Sequence, residues 1–203
     1  MTETLVQCSK LTRVYRLDGQ KVTALRGVVL CIPEGVFAAV TGRSGSGKTT
    51  LLNLIGGLDR PTSGEVYLAG RSLGALSERE LTEMRRQQIG LVFQSFALLP
   101  TLSTFDNVAL PLRIAAVSGQ ERDAKVERCL DLVGIKEWSD HRPYELSGGQ
   151  QQRVAVARAL AHDPRLILAD EPTGELDSAT GRDILALFRS LVAERGVTVV
   201  VAS

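Results

Sequence analysis

From residue 5 to residue 40 apolar and polar positions alternate, the period of a β-strand rather than a helix. Val28, Leu30 and Ile32 fall on one face, Val29 and Cys31 on the other. Asp18-Gly19-Gln20 reads as a loop. Pro33-Glu34-Gly35 reads as a turn, and Val36 to Val40 as a short apolar strand of the buried kind. The period then changes. Leu51, Leu52, Leu54, Ile55 and Leu58 recur at helical spacing. After a turn at Pro61-Thr62-Ser63-Gly64, Glu65 to Leu68 returns to a strand. Ser77 with Glu80 forms a capping box for a helix through Arg86, and Ile89 to Phe93 is another strand, ending at Gln94.

Residues 95 to about 145 read as all-helical. Leu102 to Leu112 is one helix. Ser118 with Glu121 is a second capping box, opening a helix through Val133 that Gly134 stops. Val154, Ala157, Leu160 and Ala161 lie on one helix face behind Ser147, and Leu166 to Ala169 is a fully apolar strand. Ile184, Leu185, Leu187, Phe188, Leu191 and Val192 line a long helix ended by Gly196, and Val197 to Ala202 is a last strand. The pattern predicts one α/β domain with a mixed sheet and an N-terminal antiparallel β portion. A helical subdomain at about 95–145 is inserted between two α/β portions.

Composition narrows the function. The 203 residues suffice for one compact domain. Lys and Arg total 24 against 23 Asp and Glu, a net charge of +1, which gives no basic field for nucleic acid. Cys8, Cys31 and Cys129 lie far apart without metal-ligand spacing and are expected to be reduced, mostly buried thiols. His141 and His162 are isolated, so no zinc constellation is expected. The start MTETLVQC does not read as a signal peptide, and no run approaches the roughly 20 apolar residues of a membrane helix. A soluble chain is expected, with any membrane work done by a partner.

Three stretches carry chemistry. Gly42-Arg43-Ser44-Gly45-Ser46-Gly47-Lys48-Thr49, followed by Thr50, matches G-x-x-x-x-G-K-[ST] between a strand and a helix. Its glycines let the backbone wrap a β-phosphate, Lys48 brings charge to the β/γ-phosphates, and the Thr49 hydroxyl can ligate Mg²⁺. Leu146-Ser147-Gly148-Gly149-Gln150 opens a helix. Its double glycine leaves N–H groups free to approach an anion, and Ser147 is a good N-cap. A serine cap alone needs neither the second glycine nor the glutamine. Asp170 and Glu171 sit at the C-terminal end of the Leu166–Ala169 strand, where open parallel sheets bind ligands. Asp170 can hold Mg²⁺, and Glu171 can orient or deprotonate a water. Gly174-Glu175-Leu176-Asp177 follows, with Asp177 or Ser178 capping the next helix. Tyr15 by itself reads as strand packing, and Gln94 as a surface amide.

Taken in order, these motifs resemble the nucleotide-binding subunit of ABC transporters over essentially the whole chain. GRSGSGKTT is similar to its Walker A loop, LSGGQ to its signature, LILADE to its Walker B strand and GELD to its D-loop. The strings LLNLIGGLDRPTSGEV, VFQSFALLPTLSTFDNVALPL and HRPYELSGGQQQRVAVARAL resemble the branch serving lipoprotein-releasing and macrolide-exporting systems. The resemblance implies ATP and Mg²⁺ as ligands. Gly42, Ser44, Gly45, Gly47, Lys48, Thr49 and Thr50 would hold the phosphates, and Tyr15 would stack on adenine. Gln94 would sense Mg²⁺ and water, Asp170 would support Mg²⁺, and Glu171 would be the general base. It also implies a head-to-tail pair of chains, in which Ser147, Gly148, Gly149, Gln150 and Asp177 complete the partner's site. A membrane permease would dock near the segment after Gln94, on the cytoplasmic face of the membrane.

Two departures shape the alternatives. The family places a γ-phosphate-contacting histidine just beyond the last strand, where this chain stops at Ser203, and Glu175 replaces a small or amide residue. A like charge near a triphosphate is unfavourable. Arg43 replaces a common proline at a position that contributes mainly backbone. The expectation is an ATPase subunit driving export or lipoprotein release. The alternatives are a truncated ATP-binding module with little hydrolysis, and a motor acting on a cell-wall enzyme. A GTPase would need Asn-Lys-x-Asp, which the chain lacks.

Overall fold

The computed structural model describes residues 3–17 and 20–203, so the Asp18-Gly19 part of the predicted loop lies outside the described residues. The alternating N-terminal stretch forms β1 (Thr4–Leu17) and β2 (Gln20–Pro33), paired antiparallel along most of their length. β3 (Phe37–Val40) follows the Pro33–Gly35 turn, and α1 (Lys48–Ile55) follows the glycine-rich loop. β4 (Ser63–Leu68) returns to pair antiparallel with β1, and β5 (Arg71–Ser72) extends that sheet. α2 (Glu78–Gln88) leads into β6 (Ile89–Val92). α3 (Thr104–Ile114), α4 (Gly119–Leu132) and α5 (Gly148–Leu160) pack on one another before β7 (Leu166–Asp170), α6 (Ser178–Arg195) and β8 (Thr198–Ala202).

Among the described residues there are two sheets. One has the order β2-β1-β4-β5, and the other is all parallel in the order β3-β8-β7-β6. The two-residue period of β7 and β8 divides the core. Ile167, Ala169, Val199 and Val201 pack with α3, α4, α5 and α6. Leu166, Leu168, Val200 and Ala202 pack with α1, α2 and the antiparallel sheet. The parallel sheet is thus buried on both faces, which is why β7 and β8 are apolar throughout. Because its strands are parallel, the segments after β3, β6, β7 and β8 emerge at one edge.

Several expectations need correction. β3 is an edge strand and only half-buried, because β8 covers one of its sides. Cys8 and Cys129 are buried, but Cys31 is exposed with Val29 on the outer face of β2. Burial pushes the Cys8 thiol up to about 12 and that of Cys129 to about 11, so both stay protonated. Leu58 lies beyond the Gly56-Gly57 turn that ends α1 and is exposed. Ser118 makes no side-chain capping bond, and Glu121 instead lies 3.5 Å from Lys125 one turn on. The Ser77–Glu80 box is formed in both directions, and Gly134 and Gly196 take the positive φ expected of helix stops.

Candidate functional site

The loop after β3 is shaped by close approaches. Gly47 has φ 92°, and a Cβ there would lie 2.5 Å from the Ala24 carbonyl of β2, so both backbone angle and space require glycine. Gly47 is also the N-cap of α1 and offers no side-chain cap. The first N–H groups of α1 therefore have no intrahelical acceptor and carry the positive end of the helix dipole. By contrast α2, α3, α5 and α6 are closed by Ser77, Ser103, Ser147 and Asp177. Lys48 is buried, and its Nζ donates to Gly42 O at 2.8 Å and Arg43 O at 3.4 Å. Arg43 contributes its carbonyl to this loop. Gly42, Ser44 and Gly45 are exposed, as is Thr49, while Thr50 is half-buried.

The two carboxylates at the end of β7 diverge. Asp170 Oδ1 is buried without a hydrogen-bond partner. It shares a cavity of about 200 Å³ with Thr49. Glu171 has φ 44°, a left-handed conformation unusual for its type, while its N–H donates to Ala202 O at 3.0 Å. This turn sends Oε1 to within 3.7 Å of Lys48 Nζ. Gly42, Ser44, Lys48, Glu171, Thr173 and Gly174 border a second concavity of about 260 Å³. Gln94 is exposed just after β6, and a Cβ on Gly174 would come 3.0 Å from its Nε2. Gln94 therefore abuts the loop that follows Glu171.

No group of three metal-ligating side chains occurs among the described residues. Thr49 with an unpartnered buried Asp170 nonetheless suits Mg²⁺, which usually takes one or two carboxylates and completes its shell from phosphates and water.

The signature stands elsewhere. Ser147, Gly148, Gly149 and Gln150 border neither of these cavities. Ser147 Oγ accepts from Gln150 N–H, and Gln150 Oε1 accepts from Ser147 N–H at 2.8 Å. The glutamine is thus part of a capping box after all, a role the sequence reading did not give it. The second glycine also has a packing reason. A Cβ on Gly149 would fall 2.4 Å from Thr180 Cγ2, so the start of α5 lies directly against the start of α6. Asp177 caps α6, its Oδ1 accepting from the N–H groups of Ala179 and Thr180. The Thr180 hydroxyl and these N–H groups hold the Asp177 carboxyl below its ordinary range.

Tyr15 sits near the end of β1 opposite Val22. Its hydroxyl donates to Asp59 Oδ2 at 2.9 Å, and the Arg13 guanidinium lies 4.5 Å from its ring centroid. Asp59 lies in the string LLNLIGGLDRPTSGEV without an assigned role and Thr180 in none of the quoted motifs, so only the fold reveals their contacts. Finally, a groove of about 490 Å³ runs beside β6, α3 and α5. Leu91, Phe93 and Ile114 line it, with Arg85, Arg86 and Arg158 among its borders. Among the described residues no helix is long and apolar enough to cross a membrane.

Comparison with known proteins adds a family. The model of a family described as "ABC transporter" matches residues 25–174. The chain is 47% identical to the lipoprotein-releasing system ATP-binding protein LolD of Chromohalobacter salexigens, over 99% of this chain and 85% of that one. It is 47% identical to the macrolide export ATP-binding/permease protein MacB of Rhodopirellula baltica, over 98% of this chain and 29% of that one. Among solved structures it is similar to the dimeric post-hydrolysis state of the ATP-binding cassette MJ0796 bound to ADP and Pi. That match has a TM-score of 0.89 and 47% identity, covering 98% of this chain and 88% of that one.

Proposed function

Because the chain belongs to the ABC transporter family, we propose that its site works as follows in an ATP-hydrolysing subunit that powers a membrane transporter. The observation that carries the assignment is the convergence at one sheet edge of an uncapped, lysine-bearing helix start with two divergent carboxylates. Lys48 and the amides at the start of α1 bind the β- and γ-phosphates, with Gly42, Ser44, Gly45, Gly47 and Thr50 shaping the cradle. Thr49 and Asp170 hold Mg²⁺, which when bound neutralises charge on the phosphate oxygens. Glu171 accepts the proton of the attacking water, and Gln94, against the same loop, helps place that water. Tyr15 stacks on the adenine.

Ser147, Gly148, Gly149, Gln150 and Asp177 face a nucleotide held by a second copy of the chain. Their separation from the Lys48 concavity supports this reading, as does the dimeric form of the MJ0796 cassette. The groove beside β6, α3 and α5 receives a cytoplasmic segment of the permease. Its apolar floor suits one face of a helix, and Arg86 at its border suits a carboxylate at that helix's margin, whereas Arg85 and Arg158 already donate to the carbonyls of Gly57 and of Phe96 and Ala97. The subunit then sits on the cytoplasmic face of the membrane, and the transport is export or lipoprotein release. A module without hydrolysis is not favoured, because the similar MJ0796 cassette is known in a post-hydrolysis state bound to ADP and Pi.

The deciding experiment is ATP turnover by the purified chain with Glu171→Gln as the blank. Turnover above that blank supports the reading, and turnover equal to it overturns the hydrolytic role.

A further inference from the structure

The Asp59 carboxylate is shared by two groups of β1. Arg13 Nε donates to Oδ2 at 2.9 Å and Arg13 Nη2 to Oδ1 at 2.7 Å, a bidentate pair. The Tyr15 hydroxyl donates to the same Oδ2 at 2.9 Å. Arg13 and Tyr15 stand two residues apart on one strand face, which brings the guanidinium over the ring at 4.5 Å from its centroid. A single carboxylate therefore fixes both the tilt of the Tyr15 ring and the cation lying against it.

Asp59 itself is anchored to the helix of the phosphate loop. Its N–H and that of Leu58 donate to Asn53 O in α1, at 3.3 and 2.8 Å. Three residues on, Thr62 is laced to β1, its N–H donating to Thr12 O at 2.8 Å and its Oγ1 accepting from Val14 N–H at 3.0 Å. One end of α1 carries Lys48 and Thr49, and the loop at the other end holds Tyr15.

From this geometry we infer that Asp59 is a positioning residue for nucleotide base recognition. It sets the Tyr15 ring at a fixed place relative to the phosphate-binding start of α1, with Arg13 buttressing the ring. The inference rests on the reading of Tyr15 as the adenine platform. A pre-set ring binds the base without first losing rotamer freedom, so undoing the tether weakens base binding and leaves phosphate binding alone.

The test compares the Kd of ATP with that of inorganic triphosphate, both with Mg²⁺, by titration calorimetry. Asp59→Ala is expected to weaken ATP about three- to tenfold and inorganic triphosphate not at all, the loss of a charge-assisted tether. Tyr15→Phe keeps the ring, removes only its bond to Asp59 and does not disturb the loop, so it serves if Asp59→Ala folds poorly. It is expected to move the same ratio in the same direction by about two- to fivefold. Equal weakening of both ligands by Asp59→Ala would make Asp59 a structural brace of α1 and overturn the inference, as would no effect of Tyr15→Phe. Tyr15→Ala separates the two levels. If it leaves the ATP-to-triphosphate ratio unchanged, the adenine reading itself fails. If it shifts the ratio while Asp59→Ala and Tyr15→Phe do not, only the positioning role of Asp59 fails.

Discussion

Lys48 Nζ lies 3.7 Å from Glu171 Oε1, so the buried cation of the phosphate loop and the carboxylate just after β7 are held as a pair. A triphosphate entering this concavity competes with Glu171 for Lys48 and repels it as a like charge. Glu171→Gln should therefore stop turnover yet bind ATP more tightly than the natural chain and stabilise an ATP-bound dimer. Glu171 is partly exposed, and solvent screening limits the gain to about 1 kcal/mol, a ~fivefold lower Kd. Lys48→Ala should weaken binding instead. Equilibrium binding and single-turnover hydrolysis on both variants check the pair, and an unchanged rate for Glu171→Gln would remove it as the base.

Asp170 is the complementary case. A buried carboxylate oxygen without a partner is costly in the ligand-free chain and becomes useful only with a cation. Asp170→Asn should raise or preserve the ligand-free Tm while abolishing the Mg²⁺-dependent part of ATP affinity. Thermal unfolding and ATP titration with Mg²⁺ or with a chelator give both readouts. A lower ligand-free Tm together with unchanged Mg²⁺ dependence would contradict the assignment.

Gly149 and Thr180 make a third prediction. Alanine ordinarily favours a helix over glycine by about 1 kcal/mol. Here the added Cβ would meet Thr180 Cγ2 at 2.4 Å, and Thr180 cannot turn away without breaking its hydroxyl bond to Asp177 Oδ2. The clash should win, with Gly149→Ala losing about 1–3 kcal/mol of stability. Thr180→Ser removes the methyl, keeps the hydroxyl, and should restore most of the loss in the double variant. Denaturant unfolding of the single and double variants measures this. Ser147→Arg should behave differently, leaving ATP binding by the monomer intact while blocking dimer formation in gel filtration with ATP.

What could be read from the sequence follows from the range of the forces involved. Lys48, Asp170 and Glu171 could be singled out in the sequence because the chemistry proposed for them needs fixed neighbours within a few residues, and the structure brings them to one sheet edge. The apolar runs of β7 and β8 were legible because both faces of the parallel sheet are buried. The expectation of mostly buried cysteines holds for Cys8 and Cys129, and Cys31 is the exception because the alternation of β2 turns it to solvent with Val29. β3 was misjudged because only strand order makes it an edge. Ser118 has the right spacing for a cap, but the bond is absent and Glu121 pairs with Lys125. The partners of Gly149 and Tyr15 lie 31 and 44 residues away, at Thr180 and Asp59, so no local pattern announces them.

His162 gives the chain a pH dependence. Its Nε2 lies 3.1 Å from Ile89 O, and since a carbonyl can only accept, the neutral ring carries its proton on Nε2. Nδ1 is buried and has no partner, so a second proton there would be a buried charge without an acceptor. Burial therefore lowers the imidazole pKa below its ordinary 6.5, with Lys125 acting the same way and the Ile89 carbonyl and Asp163 opposing. A folded pKa below the unfolded one means that the unfolded chain takes up the proton first as pH falls. The stability contributed by neutral His162 is complete above pH 6.5 and is lost as pH falls from there through the folded pKa. The Tm should accordingly drop between pH 7.5 and 5.5, and His162→Gln, which cannot ionise but can still donate toward Ile89 O, should flatten that drop. An equal slope in His162→Gln would assign the pH dependence to other groups.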